Sequence, residues 1–262
     1  MNLDLKNKRA LVCGSTQGIG KAAAMELAAM GAHVTLVARN ESALKATKAE
    51  LPDNGQQLHS YLCVDFADTA KLKELTTQFI QRNGPVHILV NNTGGPPAGP
   101  ANTAKTEEFV QAFSNHLLCN HILMQCCVEG MKLSGYGRII NVISTSVKQP
   151  LPNLGVSNTI RAAVANWAKT LATELAPFNI TVNNVLPGAT ATQRLSGIIQ
   201  NRASKQNLDE AHVKDEMLHE IPMKRFAEAF EIANAIAFLA SPAASYITGT
   251  NLPVDGGRTG CL

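Results

Sequence analysis

The feature that most constrains this chain is a glycine-rich turn set between a β-type run and a helical stripe. Residues 9–13 (RALVC) form a short apolar run that ends at Gly14. The turn reads Gly14-Ser15-Thr16-Gln17-Gly18-Ile19-Gly20, and residues 18–30 continue with Ile19, Ala23, Leu27 and Met30 on one helical stripe. Glycines at such a place permit a tight turn and let a phosphate reach the backbone. The start of the helix adds free N–H groups and the positive end of its dipole. The motif carries weight because a strand precedes it and a helix follows it.

The rest of the chain repeats the same alternation. Strand-type runs fall at 33–38, 61–64, 86–90, 138–143, 180–185 and 251–254. Helical stripes fall at 41–51, 69–82, 106–133 (one long region with a break), 157–176 and 231–239. This order predicts an α/β fold, a Rossmann-type doubly wound parallel sheet in three layers. No repeat or linker divides it, so residues 1–262 read as a single domain. Residues 192–225 are polar and partly helical, and they follow the carboxyl end of a strand, where such sheets bind ligands. They are expected to form a lid over a substrate. A plain surface insertion is the alternative.

Composition narrows the function. Hydrophobic residues make up 45% and the formal net charge is only +3, with no basic run, which excludes a nucleic-acid binder. No apolar stretch approaches the roughly 18 residues of a membrane span, and no signal-peptide pattern is seen. The six cysteines are scattered without a Cys-x-x-Cys pair, as expected in a reducing cytosol. His116 and His121 are not on one helix face, so no metal site is expected.

The end of the second strand bears on the cofactor. A fold that binds NAD usually places an acidic residue there, on the ribose hydroxyls. This chain has Ala38 followed by Arg39. A guanidinium favours a 2′-phosphate, so NADP(H) is expected over NAD(H).

These motifs, with others in the same order, make the sequence resemble the short-chain dehydrogenase/reductase family along nearly its whole length. It is most similar to the branch of the 3-oxoacyl-carrier-protein reductases. GSTQGIG resembles the glycine motif, with Cys13 where threonine is usual. Asp65, followed by Phe66, matches the acidic residue that reads the adenine, and Asn91-Asn92-Thr93-Gly94 matches Asn-Asn-Ala-Gly. GRIINVIS leads to Ser144, the position of the catalytic serine. ITVNNVLPG, with Pro187 and Gly188, matches the strand beside the nicotinamide; Thr190 and Thr192 follow, the latter at the position that often holds the carboxamide. YITGTNLPVDGG matches the carboxyl-terminal signature. The resemblance implies a small-molecule substrate and a cytoplasmic homotetramer or homodimer.

The catalytic pair of the family is not repeated. Its Tyr-x-x-x-Lys positions fall on Ser157 and Arg161, in the segment SNTIR, and its asparagine falls on His116, beside Asn115. Serine is too short and too weak an acid to replace tyrosine. Arginine keeps the charge and could hold the ribose hydroxyls, but it does not release a proton. Two readings follow. One is an oxidoreductase on a carbonyl/alcohol pair with an unusual donor: His116, whose ordinary pKa suits the task, with Ser144 orienting the carbonyl and Ser157 or a water relaying the proton. The other is a dinucleotide-binding sensor or partner subunit without turnover. Residues 94–100 (GGPPAGP) are expected to form one wall of the substrate pocket and 192–225 the other, with no charge cluster on either.

Overall fold

The structure, a computed structural model, describes residues 1–261. Its seven strands form one parallel sheet in the order β3-β2-β1-β4-β5-β6-β7. They are β1 Arg9–Cys13, β2 His33–Ala38, β3 Ser60–Cys63, β4 Ile88–Asn91, β5 Gly137–Val142, β6 Ile180–Pro187 and β7 Asn251–Val254. The helices between them are α1 Gly18–Ala29, α2 Glu41–Glu50, α3 Thr69–Asn83, α4 Thr106–Phe113, α5 Cys119–Ser134, α6 Gly155–Leu175, α7 Gln193–Gln206, α8 Glu210–His219 and α9 Ala229–Ala240. The α/β reading of the sequence therefore holds, with boundaries shifted by a residue or two at most strands and helices.

Both faces of the sheet are covered, which is why its strands are apolar at successive positions and not only at alternate ones. On β1, Ala10 and Val12 enter one core layer with α1 and α9, while Leu11 and Cys13 enter the other with α3, α5 and α6. The alternation repeats on β4, where Ile88 and Val90 face one layer and Leu89 the other. Helix α1 meets α9 through small residues, Ala23, Ala24 and Ala28 against Ala233 and Ala237, so the two backbones can approach closely.

The long helical region is broken as the sequence suggested, and the break has a form. Between α4 and α5, residues Ser114–Leu118 make a π turn. The wider turn rotates the helix face, and His116 enters the interior at 2% exposure. Residues 192–225 fold into α7 and α8, joined by their own small apolar cluster of Leu195, Ile199, Ala203 and Val213.

A row of asparagines ties four neighbouring strands together. Asn91, Asn141, Asn184 and Asn251 are register neighbours on β4, β5, β6 and β7. Asn91 Nδ2 donates to Asn141 Oδ1 at 2.8 Å, Asn141 Nδ2 to Asn184 Oδ1 at 2.9 Å, and Asn184 Nδ2 to Asn251 Oδ1 at 2.8 Å. A buried amide is stable only when bonded, so each member depends on the next. Asn141 is fully buried in the middle of the row. Asn141→Leu, close in size, should orphan the Asn91 donor and the Asn184 acceptor. The expected loss is roughly 2–5 kcal/mol of stability for two stranded polar groups. Urea unfolding checks it, and a change under about 1 kcal/mol would show that the row contributes little.

Candidate active site

The chain reverses its order of building the sheet between β1 and β4, and loops diverge there at the carboxyl ends of the strands. That divergence opens a crevice. On one side is the β1–α1 turn. Gly14 and Gly18 have left-handed backbone angles, φ +58° and +52°. Gly20 packs so closely that a Cβ there would sit 2.1 Å from the Gly14 carbonyl oxygen and 2.6 Å from Asn92 Nδ2. Asn92 Nδ2 donates to the Cys13 carbonyl at 3.2 Å, linking the turn to the end of β4.

The turn fits the phosphates of a dinucleotide. Gln17, the residue before α1, makes no side-chain cap, so the first N–H groups of that helix are not occupied by it. Ser15 is fully buried and its hydroxyl accepts from Val37 N at 3.0 Å, so this side chain ties the turn to β2. Arg39 extends into solvent at the end of β2, with Nη1 4.0 Å from Asp65 Oδ2 at the end of β3. Phe66 follows Asp65 and packs on the core with Val64.

The other half of the crevice is a cavity of about 710 Å³. Ser144, Ser157 and Arg161 line it together with Ile19, Asn92, Thr93, Pro187, Gly188, Thr190 and Thr192. Residues that the sequence linked only by their order are thus brought to one place. Gly18 joins the two halves: a Cβ there would touch Thr192 Cγ2 at 3.2 Å. Ser144 caps the short turn after β5, its Oγ accepting from Ser146 N at 3.1 Å. Arg161 is 8% exposed and donates to the Val142 carbonyl at 3.0 Å. Gly14, Thr16, Gln17, Gly20, Arg39, Asp65, Phe66 and Gly94 lie outside the cavity lining, on the same edge of the sheet.

No tyrosine among the described residues lines the cavity. Tyr136 lies before β5 and donates to the Ala240 carbonyl at 2.6 Å, Tyr61 donates to Glu41, and Tyr246 is fully exposed.

His116 differs from expectation in both place and charge. It is not part of the cavity lining but stands behind Thr93, whose Oγ1 lies 2.5 Å from His116 Nδ1. Burial, then the charges of Arg161 and Arg194, push its pKa from 6.5 down to about 2. Desolvation and two cations both oppose a third positive charge. The imidazole is therefore neutral near pH 7, and the near-neutral titration expected from the residue type does not hold. Asn115 does not substitute for it, because its Oδ1 accepts from Gln111 at 2.8 Å on the helix surface.

The expectation that neither pocket wall carries a charge cluster is also corrected. Arg194, on the first turn of α7, reaches across to the 94–100 loop and donates to the carbonyls of Gly95 and Pro96 at 3.0 and 3.1 Å. Five cations and one carboxylate line the cavity: Arg161, Arg194, Arg202, Lys205 and Arg258 against Glu220. Arg194 was missed because nothing near it in the sequence is charged. One hint was present: arginine in a helix's first turn opposes the dipole and needs another reason to be there.

Comparison with known proteins agrees with this geometry. Residues 14–259 match the family described as enoyl-(acyl carrier protein) reductase. The chain belongs to the short-chain dehydrogenase/reductase family. The NADPH-dependent reductase BacG of Bacillus subtilis is 30% identical over 97% of this chain and 98% of its own. The 3-oxoacyl-(acyl-carrier-protein) reductase FabG of Vibrio cholerae is 37% identical over 97% of this chain and 98% of its own. Among solved structures, the L-sorbose reductase of Gluconobacter frateurii, complexed with NADPH and L-sorbose, superposes with a TM-score of 0.92 at 31% identity over all of both chains.

The burial of His116 gives a direct test. Its ring nitrogens should keep the chemical shifts of neutral imidazole between about pH 5 and about pH 8 in ¹⁵N NMR. A titration midpoint near 6.5 would contradict the environment described.

Proposed function

We propose that this protein is an NADP(H)-dependent oxidoreductase acting on a carbonyl/alcohol pair, with a site that stabilises charge where the family pattern has a tyrosine acid. The observation that carries this reading is the convergence of Ser144, Ser157 and Arg161 on one cavity that joins the glycine turn. The NADPH named for BacG and for the sorbose reductase complex supports the cofactor.

The turn 14–20 and Arg39 hold the phosphates, and Asp65 and Phe66 bound the adenine side. Asn92, Thr93, Gly94, Pro187, Gly188, Thr190 and Thr192 bound the nicotinamide side, and Arg161 holds its ribose. Bound NADPH supplies the hydride. Ser144 and Ser157 donate hydrogen bonds to the substrate oxygen and orient it. Arg161 has a pKa lowered to about 10 by burial and by Arg194, so it stays charged at neutral pH and stabilises the oxyanion as it forms. It does not release its proton. The proton comes from water in the space left by the short side chain at position 157. His116 is a positioning residue here, a neutral group that braces Thr93 beside the cavity. Residues 192–225 close the substrate side.

We further propose that the protein is a cytoplasmic homodimer or homotetramer. No helix of the described residues is long and apolar enough to cross a membrane, and Val110, Phe113 and Leu118 are exposed apolar residues on α4 and the π turn.

Two measurements test this function. NADPH should bind more tightly than NADH by about 1–3 kcal/mol, and Arg39→Ala should remove most of that margin. Equal dissociation constants in the unmutated protein would refute the cofactor assignment. The double change Ser157→Tyr with Arg161→Lys should raise turnover of simple ketones at least tenfold, about 1.4 kcal/mol off the barrier. A folded, NADPH-binding double variant with no gain would instead favour a binding protein without turnover.

A further inference from the structure

The cavity holds more positive charge than its own carboxylates can balance. Arg258 pairs with Glu220, and Arg202 with Glu216 at 2.5 Å, so those cations are matched. Arg161 and Arg194 have no carboxylate within ion-pair reach among the described residues; their recorded bonds go to the backbone carbonyls of Val142, Gly95 and Pro96. A nearly buried guanidinium without a counter-ion is costly to keep, and a second one next to it adds repulsion. Arg194 acts on Arg161 strongly enough to lower its pKa.

The two come from opposite walls. Arg161 rises from α6 on the sheet side, near Ser144, and Arg194 descends from α7 on the outer side. The backbone makes room for the second: a Cβ at Gly95 would lie 2.5 Å from Arg194 Nη2. Three of the guanidinium nitrogens have protein partners, and each arginine brings five N–H donors, so several remain for a ligand. A planar fork of this kind matches the two oxygens of a carboxylate. The cavity lining also includes apolar side chains, Pro100, Leu151, Leu154, Leu195, Ile198 and Met217.

We propose that the substrate carries a carboxylate close to its reacting carbon, received by the Arg194 fork in the positive field it shares with Arg161, with an apolar body against the apolar part of the lining. This deepens the oxidoreductase reading and rests on it. The anion supplies the missing counter-charge, and Arg194 couples its arrival to the position of α7. A keto acid would then be held with its carbonyl at Ser144 and Ser157.

The test uses protein saturated with NADPH and two probes, 4-methyl-2-oxopentanoate and its methyl ester, with binding measured by calorimetry. The acid should bind at least tenfold more tightly than the ester. Arg194→Gln should abolish that preference and leave the NADPH dissociation constant unchanged. Arg194→Lys, which keeps the charge but not the fork onto two carbonyls, should retain part of it, separating charge from lid anchoring. Equal binding of acid and ester by the unmutated protein overturns the proposal. So does a tenfold loss of NADPH affinity in Arg194→Gln, which would give that charge to the cofactor. Binding of dihydroxyacetone phosphate without the keto acid would overturn the carboxylate in favour of a phosphate. Failure of NADPH itself to bind would refute the oxidoreductase reading and is seen before either probe is added.

Discussion

The contact on which the site depends is the packing of Gly20 against the Gly14 carbonyl and the side chain of Asn92. There is no space for a methyl group between them. Because α1 begins in contact with the end of β1, its amino terminus points into the crevice. Because Asn92 bridges to the Cys13 carbonyl, the end of β4 is held beside that terminus. The rigid part of the crevice is thus built from backbone and one amide. The asparagine row ties β4 in turn to β5, β6 and β7.

Charge is the second organising constraint. The region around Ser144 contains guanidinium groups and a neutral imidazole and lacks a phenol. In a space partly withdrawn from water, a fixed cation has a large effect on a developing oxyanion. Serine hydroxyls orient but are poor acids. On the function proposed above, a site of this composition works by holding negative charge in place. Arg161 on α6 and Arg194 on α7 line the same cavity from different elements.

Several features were legible because they are local. Apolar periodicity marks α1 and the buried strands, since burial on one or two faces imposes its own repeat on the chain. The glycine turn was readable because its backbone angles and close packing exclude side chains. Arg39 was located from its place at the end of β2, and Ser157 and Arg161 from the resemblance to the family's motif after Ser144. The π turn was visible only as an interruption. Whether a helix widens or simply ends is decided by what it packs against.

By itself, then, the sequence determined the parallel α/β architecture, the glycine turn between β1 and α1, and the placing of Ser157 and Arg161 four residues apart on one helix, because each is written in neighbouring residues. The tertiary structure alone decided that His116 is neutral, since its ionisation depends on burial and on cations from two other helices. It alone aligned Asn91, Asn141, Asn184 and Asn251, whose bonds require strand register. And it alone brought Arg161 on α6 opposite Arg194 on α7. Electrostatic energy depends on distance through space and on the exclusion of water, and neither quantity exists until the chain has folded.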